Sequence, residues 1–252
     1  RDSAMLLDIA SGTIPGAIYS APASPGRYFD ILAEPAMPLR IAVSTSGFAG
    51  ESIHQDCANA AIGVANACEA LGHSIQQISP DLDGAKLRAA FNVLFAANIN
   101  AVVTGYSATL PMMPLSDSFE PVVLACADHG SRLRALDYIA AIQTTQEAAR
   151  VMGEFSERFD VFITPTLANP PLQIGALATS EPNWPAFCTR MLDEIPFTPL
   201  YNATGAPAAS IPFGHSGSGL PIGVQLGAAL GCEHTILKLA AQLEAAHPWR
   251  RV

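Results

Sequence analysis

The sequence predicts an α/β fold: a mixed, mostly parallel sheet flanked by helices. Residues 39–44 are a short apolar strand candidate, residues 74–78 are a second one, and a helical pattern between them ends at Gly72. A strand, a helix and a second strand in direct succession form a βαβ unit, which implies parallel strands and a right-handed crossover.

Three further strands are predicted in the second half of the chain. Residues 159–165 form a buried apolar strand that a proline stops. Apolar residues alternate over residues 209–213 and 222–226, and the Gly/Ser run between these segments predicts a hairpin or a loose connection. Pro212 and Pro221 place the two strands at an edge of the sheet or at strand ends.

Helices are predicted where apolar side chains repeat at helical spacing. The first helix ends at Gly12, and later ones cover residues 86–103, 131–158 and 233–246. The stretches between these elements are rich in Pro, Gly and Ser, and we expect them to be loops, with short helices in the last one. The longest such stretches are residues 13–38, 106–118 and 166–199.

Two helix starts have recognisable capping residues. Ser52 and Gln55 have the spacing of a capping box for the helix that ends at Gly72. Asp128 and Ser131 are expected to cap the long helix that follows them. Asp128 and Ser131 also flank His129, but neighbours in sequence do not form a catalytic relay, because triads are assembled from separate elements.

Composition excludes several classes of protein. The chain has 252 residues, 50% hydrophobic and 14% charged, with a net charge of −9 and a mean hydropathy of +0.28. Disordered chains are polar and charged, and nucleic-acid binding needs clustered Lys and Arg, so both are excluded. The longest apolar runs, such as residues 122–127, fall far short of the roughly 20 residues of a spanning helix. We therefore expect no nucleic-acid or membrane partner.

The low charge also predicts that part of the surface is covered. Either an oligomer partner, as in a homodimer, or a missing part of the same domain would cover it, although a high alanine content raises the apolar count without making adhesive patches. The chain opens with Arg1 inside a helical pattern, so we expect that a segment precedes it. The five cysteines, an odd number without a C-x-x-C pair, favour a reduced cytoplasmic protein.

The residues alone reveal no catalytic centre. The sequence lacks G-x-S-x-G, a Walker loop, G-x-G-x-x-G and H-E-x-x-H, and its six histidines are scattered, so neither a cofactor nor a metal is predicted. A catalytic lysine must be neutral near pH 7, which requires desolvation or nearby positive charge. Lys86 and Lys238, the two lysines, both read as solvated structural residues.

The last third of the chain resembles the amidase signature family. The matching segments are Phe-Asp-Val-Phe-Ile-Thr-Pro-Thr at 159–166, Asn-Ala-Thr-Gly-Ala-Pro-Ala-Ala-Ser-Ile-Pro at 202–212 and Gly-Leu-Pro-Ile-Gly-Val-Gln-Leu at 219–226. Residues 1–12 are similar to the helix that follows the family's signature region, and residues 39–79 are similar to its βαβ unit. The segments fall in the family's order, whereas residues 80–158 resemble nothing more specific than its helices.

The resemblance implies that residues 1–252 are the C-terminal part of a single amidase-signature domain. The family hydrolyses amides with a Lys, a cis-configured Ser and a nucleophilic Ser, and all three would lie upstream of Arg1. This chain then contributes no catalytic residue and is predicted to be inactive alone. The full protein would cleave the C–N bond of a small carboxamide or a linear or cyclic amide, and its partner here is the missing N-terminal half.

Six residues are candidates for substrate binding. By family position, one predicted helix lines the substrate pocket, and a strand glycine often marks close backbone approach. For every candidate a structural role in the core, in a turn or in backbone packing is the competing interpretation. The six are Phe91, Asn92, Phe95, Asn202, Gly223 and Gln225.

Two other functions compete with the hydrolase. The chain could be a non-catalytic scaffold or subunit derived from an amidase, which a native start near Arg1 would support. A flavodoxin-like binding domain rests on the first βαβ unit alone, and residues 46–50 make a poor anion-binding turn. The sequence does not specify which amide is cleaved.

Overall fold

Five strands form one sheet in the computed structural model, which describes residues 1–34, 37–109 and 114–249. They are β1 (Arg40–Val43), β2 (Ser74–Gln77), β3 (Val161–Pro165), β4 (Ala208–His215) and β5 (Pro221–Gly227). The order is β2-β1-β3-β5-β4. The β2–β1 and β1–β3 pairs are parallel, and β5 is antiparallel to both β3 and β4. Four of the five strands therefore run in one direction, which confirms the predicted fold class.

Helices cover both faces of the sheet. They are α1 (Asp2–Ala10), α2 (Tyr28–Ile31), α3 (Gln55–Ala70), α4 (Gly84–Thr109), α5 (Pro121–Ser131), α6 (Ala135–Arg158), α7 (Trp184–Glu194), α8 (Thr198–Thr204) and α9 (Glu233–Ala246). The unit β1-α3-β2 is the predicted βαβ unit, and β4 and β5 are the predicted hairpin. The region from residue 13 to 38 contains α2, because the Asp8 carboxylate accepts hydrogen bonds from the backbone N–H groups of Tyr28 and Phe29.

One face of the sheet, the aliphatic face, packs against α3 and α9. Its strand residues alternate with those of the opposite face, as a two-residue period requires, and each is almost fully buried. α3 contributes Val64 and α9 contributes Leu239, both with no exposed surface. The strand residues that define the aliphatic face are Ile41, Val43, Val161, Ile163, Ile211, Ile222, Val224 and Leu226.

The opposite face, the mixed face, combines aromatic, small and polar side chains. Phe162 of β3 packs there with Phe155 of α6 at a ring-centroid distance of 5.3 Å, and Tyr201 of α8 lies over Gly227 of β5. A Cβ at Gly227 would lie 1.9 Å from the Tyr201 hydroxyl, so only glycine admits this close approach. The strand residues that define the mixed face are Ala42, Phe162, Thr164, Gly223, Gln225, Gly227, Ala208, Ser210 and Pro212, and Thr166, directly after β3, lies beside them.

Both predicted capping arrangements are wrong. α3 begins at Gln55, and the His54 side chain caps it by accepting a hydrogen bond from the Asp56 backbone N–H. Asp128 and Ser131 lie in the last turn of α5, where the Ser131 hydroxyl donates to the Asp128 carbonyl. α6 begins four residues after Ser131, and the Asp137 carboxylate accepts from the Arg134 backbone N–H. Polar side chains can satisfy the unpaired backbone groups at either end of a helix, so sequence spacing alone does not distinguish an N-terminus from a C-terminus.

α4 is longer than predicted and extends from Gly84 to Thr109. Part of the loop expected at 106–118 is therefore helical, residues 110–113 lie outside the described residues, and Leu115–Asp117 form a 3-10 turn. By length and composition alone, α4 is long and apolar enough to cross a membrane. The short uninterrupted apolar runs in the sequence did not predict such a helix. It packs along α5 and α6, as a helix of a folded domain does, so this criterion is weak evidence for a membrane.

Candidate functional site

A cavity of about 250 Å³ lies between α4, α6 and α8. None of the side chains that line it is charged. An apolar cavity with a few polar groups is the usual form of a small-molecule site. The lining residues are Leu87, Phe91, Leu94, Phe95, Asn98, Thr145, Asn202 and Ala203.

α4 forms the apolar wall of the cavity. Phe91, Leu94, Phe95 and Asn98 follow one another at i, i+3, i+4 and i+7, which places them on one face of the helix. The rings of Phe91 and Phe95 stack with their centroids 5.9 Å apart and an interplanar angle of 23°. Phe95 is 36% exposed, so its ring combines a packed side with a side that a ligand can reach.

The aromatic wall is supported from behind by α7. The indole of Trp184 is buried and stacks on Phe95 with centroids 5.4 Å apart and planes 4° from parallel. The Trp184 Nε1–H donates a 2.9 Å hydrogen bond to Oδ1 of Asn92, and the Cys188 Sγ approaches the same oxygen at 3.4 Å. Asn92 therefore orients Trp184 rather than lining the cavity.

α8 contributes the polar side of the cavity. Asn202 is exposed and lines the cavity together with Thr145 of α6. The helix ends at Gly205, whose left-handed φ of 74° allows its N–H to bond the Tyr201 carbonyl. This cap orders the turn through backbone atoms, so the carboxamide of Asn202 is available to the cavity.

Gly223 and Gln225 lie on β5, outside the residues that line the cavity. The Gln225 amide is buried and donates to Oγ1 of Thr164 at 3.2 Å. Beside it, the hydroxyls of Thr166 and Ser210 are 2.7 Å apart, and a Cβ at Gly223 would lie 2.7 Å from the Ser210 Oγ. This polar strip on the mixed face is thus held by side-chain hydrogen bonds.

The structure brings three of the six candidate residues together: Phe91, Phe95 and Asn202. Sequence reasoning did not propose Leu87, Leu94 or Asn98 as site residues, although helical spacing from Phe91, at i−4, i+3 and i+7, would have found all three. It also missed Thr145, Ala203 and the support by Trp184. These residues lie on other helices, and no pattern in the sequence indicates that tertiary packing brings them next to α4.

The described residues offer few groups for covalent chemistry at the cavity. Lys86 pairs with Glu147 at 2.5 Å and Lys238 with Glu34 at 2.7 Å, and neither lysine lines the cavity. Burial raises the pKa of Cys188 to about 11, so this thiol near Trp184 is protonated and a poor nucleophile. Among the described residues no group of three or more His, Cys, Asp or Glu is placed to hold a metal ion.

Comparison with protein-family models adds a direct assignment. The model described as Amidase matches residues 1–237. The chain belongs to the amidase signature family. The resemblance carried by the three segments between residues 159 and 226 is therefore confirmed, and the cavity lies within the matched residues.

Two similar proteins of this family are 6-aminohexanoate-cyclic-dimer hydrolases. The one from Paenarthrobacter ureafaciens is 32% identical, and the one from a Pseudomonas strain is 31% identical, over 99% of this chain and 52% of each relative. The structure of a 6-aminohexanoate cyclic dimer hydrolase matches with a TM-score of 0.90 and 31% identity, over 99% of this chain and 54% of that one. The chain thus spans about half the length of these amidases.

A more distant match extends the likeness of fold. A bacterial aryl acylamidase of the same family has a TM-score of 0.80 over 99% of this chain, at 19% identity. At that identity the match concerns the fold alone. The sheet and its helices are therefore a shared framework of amidases that differ widely in sequence.

Proposed function

We propose that this chain is the C-terminal portion of an amidase-family hydrolase that cleaves the C–N bond of a small carboxamide or of a linear or cyclic amide. In this proposal the Ser-cisSer-Lys triad belongs to polypeptide upstream of Arg1, and the 252 residues alone are inactive. The observation that carries the proposal is the similarity to two cyclic-dimer hydrolases over 99% of this chain but only 52% of theirs.

The cavity supports an uncharged substrate. Its aromatic wall, Phe91 and Phe95, offers apolar surface for methylene groups, and Asn98 and Asn202 offer amide groups that match a substrate amide. A charged substrate would lose hydration there without an opposite charge to pair with. We therefore propose that a neutral amide binds in preference to one that carries a free carboxylate or amine.

The protein is further proposed to work in the cytoplasm. All five cysteines are free thiols, which agrees with a reducing compartment. Fractionation of cells that produce the protein tests this, since recovery from a secreted or membrane fraction contradicts it.

Translation of the whole reading frame provides the first test. We expect a Gly/Ser-rich signature in frame before Arg1. The longer polypeptide should hydrolyse 6-aminohexanoate cyclic dimer, and the 252-residue chain alone should not. A reading frame that begins near Arg1 would contradict the proposal and favour the non-catalytic subunit. Hydrolysis by the 252 residues alone would contradict the assignment of the triad to an upstream segment.

Variants of the active polypeptide test the cavity. Phe95→Ala and Asn202→Ala should each raise KM for a neutral cyclic amide about tenfold, which corresponds to about 1.4 kcal/mol of binding. Val102→Ala is the matched control, because Val102 is 60% exposed on the same helix and does not line the cavity. Equal KM values in all three variants would show that substrate binds elsewhere.

A further inference from the structure

Another cavity, of about 180 Å³, lies between α9 and the segment that leads into β1. This α9 cavity shares no lining residue with the cavity beside α4. It borders the helix that packs on the aliphatic face. At about 30 Å³ for each water molecule, its volume equals that of about six waters, which is enough for a small organic molecule. The lining residues are Met37, Leu39, His234, Thr235, Lys238, Leu239 and Gln242.

The wall that α9 contributes is polar and largely uncommitted. His234, Lys238 and Gln242 follow one another at i, i+4 and i+8, which places them on one face of the helix. Nδ1 of His234 and Oε1 of Gln242 are buried, and neither has a hydrogen-bond partner among the described residues. Buried polar atoms in folded proteins are nearly always paired. This wall therefore has a hydrogen-bonding capacity that packing within the described chain does not use.

His73 adds a third unpaired atom beside the same wall. Its Nδ1 accepts a 3.0 Å hydrogen bond from the Leu39 N–H, and burial lowers the pKa of the imidazole. The ring is therefore neutral, with its proton on Nε2. Gln242 lies near this ring, yet Nε2 has no hydrogen-bond partner in the part of the chain that the structure describes. Of four such buried side-chain atoms in the described residues, three lie at or next to the α9 cavity.

The charge of the cavity favours an anion. Lys238 is the one cation among its lining residues, and none of the described lining residues is acidic. The Lys238 side chain is 21% exposed, and its Nζ donates to Glu34 at 2.7 Å. Glu34 does not line the cavity and is 59% exposed. Because an ammonium group has three donors, Lys238 can bind a second anionic group while it keeps this ion pair.

The remaining side of the cavity is apolar, and it distinguishes an organic anion from an inorganic one. Met37, Leu39 and Leu239 offer hydrocarbon surface, which gains free energy when a hydrocarbon chain covers it. We propose that the α9 cavity binds a short-chain carboxylate, with the carboxylate at Lys238 and the hydrocarbon chain against these three residues. The inference goes beyond the proposed function, since neither the catalytic triad nor the cavity beside α4 takes part.

Calorimetric titration with hexanoate tests the site in the whole polypeptide that the reading frame encodes. We expect saturable binding of one hexanoate. Affinity should rise about threefold for each methylene group added from acetate through butyrate to hexanoate, because each group buries hydrocarbon. Hexan-1-ol has the same chain length without the charge and should bind at least tenfold more weakly. Inorganic phosphate, which has the charge without the chain, should also bind at least tenfold more weakly.

Three charge variants locate the bound carboxylate. Lys238→Gln should weaken hexanoate binding at least tenfold, because it removes the cation. Glu34→Gln should tighten binding about threefold, because it removes a carboxylate that competes for Lys238. Lys86→Gln is the matched control, since Lys86 forms the same kind of pair with Glu147 and does not line the α9 cavity. The thermal midpoint of each variant checks that it is folded.

Several results would overturn the proposal. Absence of hexanoate binding does so, and so does equal affinity in the Lys238→Gln and Lys86→Gln variants. Equal binding of hexan-1-ol or of phosphate would show that the cavity recognises only hydrocarbon or only charge. If Lys238→Gln does not fold, Glu34→Gln decides, and unchanged or weaker affinity counts against the site. Amide hydrolysis is measured separately, because an inactive polypeptide that binds hexanoate contradicts the proposed function and leaves the carboxylate site standing.

Discussion

The two faces of the sheet are packed by different means. On the aliphatic face, strand residues such as Val43, Ile163 and Leu226 meet α3 and α9 in a continuous buried layer of hydrocarbon. On the mixed face, aromatic rings and one glycine contact fill one end, and the other end carries a strip of hydrogen-bonded hydroxyl and amide groups. Helices of this chain cover the aliphatic face, whereas they cover the mixed face only in part.

This difference separates stability from function. Hydrocarbon side chains gain free energy from burial whatever their exact partners, roughly 25 cal/mol for each Å², so the aliphatic face holds the sheet together. The buried pair Thr164 and Gln225 gains little from burial, because a hydrogen bond in the protein replaces one in water. These polar groups lie on the mixed face, the face covered by α6 and α8, which also border the cavity where we propose that substrate binds.

The largest effect is expected on the aliphatic face. Leu239 has no exposed surface, so Leu239→Ala should lower the free energy of unfolding by about 2–5 kcal/mol through lost burial and a residual cavity. The thermal midpoint should fall by about 10 °C for a chain of this size. Leu230→Ala is the control, because Leu230 is 59% exposed. A loss equal to that of the control would show that this face does not hold the sheet.

A smaller effect is expected where α8 crosses the mixed face. Gly227→Ala would force the ring of Tyr201 away from β5, at a cost of about 3 kcal/mol, the upper part of the range for overpacking. Gly153→Ala in α6 is the control, because a Cβ there meets nothing within 4 Å, and alanine should stabilise the helix by about 0.5–1 kcal/mol. Chemical denaturation of both variants measures the difference. Similar stabilities would mean that Tyr201 moves without cost.

The aliphatic face was predictable from the sequence because its signals are local. Alternation along β5 and helical spacing along α3 and α9 identify the buried side chains before any tertiary contact is known. The bounds of α9, Glu233–Ala246, and the hairpin of β4 and β5 follow from the same signals. The family segments lie on these elements, so the fold class could be assigned with them.

The mixed face and the cavity were predictable only in part. Phe91 and Phe95 repeat at helical spacing, but nothing in the sequence states that Trp184 lies behind them or that Asn92 bonds its indole. α5 was missed, because its last residue, Ser131, suits either helix end and was taken as the start of the next helix. Such contacts join residues about 90 positions apart, with no short-range pattern to mark them.

The smallest effect is expected in the polar strip of the mixed face. Thr164→Val keeps the shape of the side chain but removes the acceptor of the Gln225 amide, so one buried N–H is left unsatisfied at a cost of about 1–2 kcal/mol. Adding Gln225→Leu to this variant should recover most of that loss, because no unpaired polar group then remains. A double-mutant cycle from denaturation curves measures the coupling between the two side chains.

The same variants distinguish a structural strip from a functional one. Gln225→Leu alone should change the free energy of unfolding of the 252-residue chain by no more than about 1 kcal/mol. The reason is that the small Thr164 hydroxyl finds another hydrogen-bond partner more easily than the longer Gln225 amide does. In the active longer polypeptide, however, the double variant should lose activity while its stability is preserved, because an apolar strip no longer offers hydrogen bonds to whatever covers it. Full activity of the double variant would assign the strip to packing within this chain and remove the functional distinction between the two faces.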